Sequence, residues 1–479
     1  MNLKKRIFDN TLVQVIGKVL ATSLNLFAFS IMTRELGQSG FGEYTTVITF
    51  LSFFAIFADL GLTLVTVQML GENKEKETRT LGNLFGLRLL SSIIFISLAP
   101  ILVIFFDYSD GIKLGVLIAA ASFIFNALNQ IMVGLFQTRL KMSRVAWAET
   151  LSRVIMLLGV ILSVKLNWGL NGMLATTTIS SLASFVMHFI FARQFAHIKP
   201  LFEPSQWKHI MKLSWPLAIT IAFNLIYLKA DTLILSLFKS QAEVGLYGAA
   251  YKIIDVLSSL PFMFAGVILP LMVIAWQKKD HLKFNNLLQK SFDVLAIAAI
   301  PMVVGAQFLA DDIMVLVAGH DFIGASNIFR LLILAIAAIF LGNMMSHAVI
   351  AVKKQKKIIW IYVLTSISSL IGYLILIPKF SYYGAAVITI YSESLIAILT
   401  GIYICRYLKF KLNFKGLLKA ILASFIMSIF LYFKPTSCLS NNLGLMFTII
   451  IASTIYLLAL LFLRAFNRND LKLIFSKNE

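Results

Sequence analysis

The chain has 479 residues, 59% of them hydrophobic and 13% charged, with a mean hydropathy of +0.87; soluble domains carry about 25% charge, so lipid is the solvent for most of this sequence. The formal net charge of +20 does not point to nucleic acid, because the basic residues lie in short clusters between apolar runs and there is no RNP signature, zinc-finger spacing or basic helix. A P-loop, a GxSxG elbow and a cluster of metal ligands are absent too, so the sequence reads as a non-enzyme with no cofactor and no metal.

A spanning helix takes about 20 mostly apolar residues. Fourteen such segments are predicted, at residues 11–33, 43–69, 83–105, 113–136, 146–164, 171–192, 213–238, 244–275, 291–310, 326–351, 358–378, 383–405, 416–433 and 443–463. They are too long and continuous for barrel strands, so the fold class is an all-α polytopic membrane protein. The start, Met1-Asn2-Leu3-Lys4-Lys5-Arg6, is basic like a signal peptide. The run behind it carries Lys18 and continues well past signal length, so it is read as an uncleaved first spanning helix. With the N-terminus inside, the inside pieces hold about 29 Lys plus Arg and the outside loops about six. Both termini are therefore expected in the cytoplasm. Cys405 and Cys438 fall at opposite ends of the last segments and imply no disulfide framework.

The first two segments form a hairpin whose turn reads Thr33-Arg34-Glu35-Leu36-Gly37-Gln38-Ser39-Gly40-Phe41-Gly42-Glu43-Tyr44, with a later break at Asp59-Leu60-Gly61. The design returns in mid-chain. Laying Phe41-Gly42-x-Tyr44 on Val244-Gly245-x-Tyr247 brings Thr11 and Ser214 into register, the mark of an internal repeat. The division expected is an N-terminal six-helix lobe (1–196), a cytoplasmic linker (197–212), a C-terminal six-helix lobe in the same orientation (213–405), and two further helices with a tail (406–479). In the linker, Ser205 is expected to cap a short surface helix over Gln206–Leu213. The longest outside loop is predicted at residues 310–325.

Ionisable groups within the hydrocarbon are costly, so they pair or they bind something. Lys18, Asp59, Arg88 and Arg153 are placed about 10 Å from the cytosolic ends of their helices, and Glu149 can pair with Arg153 one turn on. This layer is net cationic. Asp59 is the expected neutraliser of Lys18, and Lys18, Arg88 and Arg153 are candidates for an anionic ligand. In the second half Lys229, Asp231, Lys252 and Asp255 form a near-neutral set that suits a polar clamp as well as an ion site; Glu393 lies near the midplane and Arg330 near an outer end. Gly37, Gly42, Gly61 and Gly245 are assigned to turns and close packing. Tyr44, Tyr227, Tyr247 and Tyr251 are weaker candidates for stacking on sugars.

Arg34-x-Leu36-Gly37, Phe41-Gly42-x-Tyr44 and Asp59-Leu60-Gly61, with Asp231, Val244-Gly245-Leu246-Tyr247 and Ala250-Tyr251-Lys252, resemble the polysaccharide-biosynthesis or oligosaccharide flippase family. That family belongs to the MOP superfamily, with the MATE drug exporters and the lipid II flippases. The resemblance implies two lobes in a V that alternate between inward- and outward-open around a cationic cavity. It implies a bacterial inner-membrane flippase for undecaprenyl-pyrophosphate-linked O-antigen or capsule repeat units, with the polymerase and chain-length machinery as partners. Lys18, Arg88 and Arg153 would meet the pyrophosphate. Asp59, Asp231 or Asp255, with Lys229, Lys252 and Glu393 as further candidates, would serve an ion gradient or a polar clamp. Lipid II flippases carry several arginines in the first helix where this chain has only Lys18, which argues against a lipid II substrate. A MATE-type multidrug antiporter is the other alternative, and it would favour an acidic cavity.

Overall fold

The computed structural model describes residues 3–72, 77–139, 141–196, 198–433 and 442–464. Every regular element in them is helical. The first helix runs Leu3–Asp59 across one non-helical residue, Gly37 (φ 64°, ψ −174°), which separates α1 (residues 3–36) from α2 (residues 38–59). The predicted polar turn of the hairpin thus shrinks to one glycine. α2 breaks at Leu60 and Gly61 (φ 48° and 75°) and resumes as Leu62–Glu72. Then follow α3 (Glu77–Leu102), α4 (Asp110–Thr138), α5 (Met142–Lys165), α6 (Gly169–Ala192), α7 (Pro204–Phe238), α8 (Gln241–Gln277), α9 (His281–Ala318) and α10 (Ser326–Ala351). The long helix Ile359–Leu408 divides at Ser381 (φ 52°, ψ −137°) into α11 (residues 359–380) and α12 (residues 382–408). α13 (Lys415–Tyr432) and α14 (Asn442–Phe462) complete the order.

Among the described residues, eleven continuous helices are long and apolar enough to cross a membrane, two of them the joined pairs α1–α2 and α11–α12. With α7, 35 residues long, this accounts for the fourteen predicted segments. Two expectations about connections are corrected. No separate surface helix stands at 206–213: Pro204, at the first helical position, starts α7, which runs unbroken through that stretch, and Ser205 makes no cap. Nor is 310–325 a loop, because α9 continues to Ala318, Gly319 (φ 102°) turns the chain, and a 3-10 turn covers His320–Ala325. Apolar, helix-forming sequence propagates the helix past the lipid boundary until a backbone breaker stops it.

The chain divides into two compact units. The first takes residues 1–249, 317–321 and 366–385; the second takes 250–316, 322–365 and 386–479. In the first unit, Leu62, Leu84, Leu128, Leu135 and Phe136 form one buried cluster and Val47, Leu51, Ile96, Ile112 and Leu174 another. Ala28 and Met32 of α1 meet Met156 and Val160 of α5. In the second, Leu309, Met427, Leu445, Tyr456 and Leu460 join α9 to α13 and α14. Large apolar side chains also face outward, Phe105 at 81% and Phe462 at 87% exposure. Lipid solvates such faces, so packing must come from close approach of small residues.

The closest such approach lies between the repeated motifs. A Cβ on Gly42 would fall on the carbonyl oxygen of Gln241, and one on Gly245 would fall on that of Gln38. The repeat register maps Gly42 onto Gly245 and Gln38 onto Gln241, so the two contacts exchange under a local two-fold. Around them Thr46 Oγ1 donates to Gln241 Oε1 at 2.7 Å, and Gln38 Nε2 donates to the Asp321 carbonyl.

Candidate functional site

The intramembrane charges separate by what surrounds them. The break at Leu60–Gly61 ends the α2 ladder and frees the Ala58 carbonyl. Arg88 Nη1 (3.3 Å) and Ser91 Oγ (2.8 Å) of α3 donate to that oxygen, and Arg88 Nε reaches the Ala127 carbonyl of α4 at 3.1 Å. The same guanidinium forms an ion pair with Asp59, whose Oδ1 also accepts from Thr63 Oγ1 at 2.6 Å. Arg88 is only 4% exposed. Asp59 thus lies against Arg88, where the sequence pointed to Lys18.

Lys18 is exposed on α1, beside Gly17, which packs so closely on α5 that its Cβ would lie 2.6 Å from that of Ala146. Glu149 and Arg153 follow Ala146 by three and seven residues, so they lie along the same side of α5. Both are half-buried. The expected Glu149–Arg153 ion pair is not formed; among the described residues Lys18, Glu149 and Arg153 make no hydrogen bond or ion pair. Arg153 instead lies within electrostatic reach of Tyr44, whose hydroxyl sits 3.2 Å from Thr177 Oγ1 of α6. The structure therefore brings Arg153 of α5 near Tyr44 of α2, and sets Lys18 next to the α1 glycine that packs on α5.

On α7, Asp231 is fully buried. It accepts from Tyr247 Oη at 2.6 Å, from Thr232 N at 2.6 Å and from Thr232 Oγ1 at 3.1 Å, with Lys229 within electrostatic reach. Tyr247 of the repeat motif is thus a ligand of a buried carboxylate and has no free face for a sugar; Tyr227 and Tyr251 are buried as well. Lys252 and Asp255, on α8 in the second unit, have polar partners of their own. Glu393 is half-buried in α12 and has no hydrogen bond or ion pair among the described residues. Arg330, which the sequence placed near an outer end, is held by Asp311 (2.7 Å), Asn327 Oδ1 and the Gln307 carbonyl. Arg34 donates to Ser30 and lays its stem along Gly319. Cys405 is a free thiol, and Cys438 lies outside the described residues.

Sequence reasoning missed a strap. Residues 198–203 cross the start of α3, where Leu201 N donates to the Gly82 carbonyl (2.9 Å) and Glu203 N to Asn83 Oδ1 (3.1 Å). A Cβ on Gly86 would fall on the Leu201 carbonyl. Arg79 and Glu203 close the strap with a two-pronged ion pair, and Arg79 holds the Glu203 carboxyl below its ordinary range. The Gly82-x-x-x-Gly86 spacing was the available signal.

The chain and its fold match known proteins. Residues 7–276 fit the polysaccharide biosynthesis protein family, and the chain belongs to it. A curated relative is the probable low-salt glycan biosynthesis flippase Agl15 of Haloferax volcanii, 22% identical over 462 residues, spanning 92% of this chain and 94% of that protein. Among solved structures, the lipid II flippase MurJ in an inward closed conformation superposes with a TM-score of 0.76 at 20% identity, over 95% of this chain and 99% of that one. A MOP-superfamily transporter from Pyrococcus furiosus gives 0.60 at 12% identity, covering 85% and 96%. The fold is that of the MOP superfamily.

Proposed function

We propose that the chain is a flippase that carries a lipid-linked oligosaccharide from the cytoplasmic to the outer leaflet by alternating access. Residues 1–196 and 213–405 are its two working lobes, 197–212 the linker and 406–479 an appended pair of helices. The carrier is undecaprenyl pyrophosphate, the cargo an O-antigen or capsule repeat unit, and the membrane the bacterial inner membrane with both termini in the cytoplasm. The polysaccharide polymerase and chain-length machinery take up the product. The observation that carries this reading is the pair of unmatched cations, Lys18 on α1 and Arg153 on α5, in a member of a polysaccharide family. Lys18 and Arg153 have no carboxylate partner among the described residues, and a pyrophosphate leaving water needs such charges. Arg88 is spent on Asp59, so its role is to hold α2, α3 and α4 together.

The test is complementation of a strain lacking its O-unit or capsule flippase, with the cognate glycan present. Wild type is expected to restore surface polysaccharide. Lys18→Ala and Arg153→Ala, at matched protein level, are expected to lose at least about tenfold, the equivalent of one charge-assisted hydrogen bond. Full restoration by both variants sinks the assignment of these cations. Failure of wild type together with raised drug resistance moves the reading to a multidrug antiporter.

Coupling to an ion gradient belongs to Glu393 in this reading, since Asp59 is matched by Arg88, and Asp231 by Tyr247, Thr232 and Lys229.

A further inference from the structure

A cavity of about 390 Å³ opens in the second unit between α9, α10, α12 and the start of α13. Its walls are apolar, among them Phe292, Met345, Ile398, Cys405, Leu412 and Phe414. A cavity of this size holds an acyl chain better than a polar headgroup. The loop that roofs it is built. Lys409 ends α12 in the left-handed conformation (φ 50°). Gln289 and Asn413 then pair reciprocally, Gln289 Nε2 donating to the Asn413 carbonyl (2.7 Å) and Asn413 N to Gln289 Oε1 (2.9 Å). Phe414 stands edge-on to Phe292 at 5.8 Å. Gly416 lets α13 close onto Asp293 of α9.

The rim is mainly basic: its one carboxylate, Asp293, accepts from Gln289 Nε2 at 3.1 Å and lies against Gly416. Arg406, Lys409, Lys411 and Lys415 interleave with the lining residues Cys405, Leu412 and Phe414, and all four are exposed. Among the described residues none of them meets a carboxylate. The Lys and Arg bias assigns this end to the cytoplasmic face, where anionic headgroups concentrate. An apolar slot under a fixed basic loop fits a single lipid class: chain in the slot, phosphate on the rim.

We propose that this cavity is a binding site for one anionic glycerophospholipid, distinct from the cations assigned to the cargo. The full chain is purified in detergent, equilibrated with phosphatidylglycerol or phosphatidylcholine, washed, and the retained lipid is counted per protein by mass spectrometry. About one phosphatidylglycerol is expected to remain, with a preference over phosphatidylcholine of about tenfold or more from four rim cations. The combined R406Q/K409Q/K411Q/K415Q variant is expected to erase the preference. Gly401→Leu, at a lining position where a Cβ meets only Met345 at 3.8 Å, is expected to fill the slot and lower retention of both lipids. A second readout needs no retention: in a Cys438→Ser background, phosphatidylglycerol is expected to slow alkylation of Cys405 by an apolar maleimide at least about threefold over phosphatidylcholine. Equal retention of the two lipids, or a preference that survives the four neutralisations, overturns the proposal. Displacement of phosphatidylglycerol from wild type by equimolar polyprenyl phosphate also overturns it, and gives the slot to the carrier's chain.

Discussion

Arg88 and Lys18 lie at similar predicted depths and do different things. Arg88 is buried, with a carboxylate and two carbonyls around it; Lys18 is exposed and makes no ion pair among the described residues. Arg88→Leu leaves Asp59 in apolar surroundings and is expected to destabilise by about 3–5 kcal/mol, seen as a drop in the thermal unfolding midpoint in detergent. Asp59→Asn combined with Arg88→Leu is expected to recover part of that loss. Lys18→Ala is expected to leave the midpoint unchanged. Sequence alone indicated each residue's depth and could not choose partners: Asp59 and Arg88 are 29 residues apart, and their meeting depends on where α2 breaks. The Glu149–Arg153 pair failed for a related reason. An i,i+4 spacing permits contact, but α5 carries Arg153 towards Tyr44.

At the scale of elements, glycines act in two separable ways. Gly37 has nothing within 4 Å of a built Cβ, so it is needed only for its backbone angles. Gly37→Ala is expected to cost about 1–3 kcal/mol through backbone strain alone, with little change in packing. Gly42 and Gly245 have no such conformation and are needed for space. Gly42→Val or Gly245→Val is expected to abolish folded protein, read as aggregation in size-exclusion chromatography, because a carbonyl oxygen occupies the site of the new carbon. The strap gives a pH test. Arg79 lowers the Glu203 pKa, so the pair contributes fully above the ordinary carboxylate value and is lost as pH falls through the lower folded value. Hydrogen exchange at Leu201 and Glu203, corrected for intrinsic rates, is expected to be protected at neutral pH and to lose protection below about pH 4. Arg79→Ala is expected to remove that pH dependence.

For the whole molecule, the proposal predicts that transport in proteoliposomes responds to an imposed proton or sodium gradient and that Glu393→Gln removes the response. Equal transport without a gradient and in Glu393→Gln would end the assignment of coupling to that carboxyl. The sequence by itself determined the solvent, the number of spans and the repeat, because a run of about 20 apolar residues and a recurring Phe-Gly-x-Tyr-like motif are properties of composition and order. The family followed from the same motifs. The tertiary structure decided which charges are matched and which are open. It also decided that the two motifs cross glycine on glycine, that residues 198–203 are strapped to α3, and that a basic loop roofs an apolar slot. Those facts depend on contacts between residues far apart in sequence. In lipid, where apolar faces are equally content with solvent, such contacts are set by backbone breaks and small-residue crossings, which a hydropathy pattern does not encode.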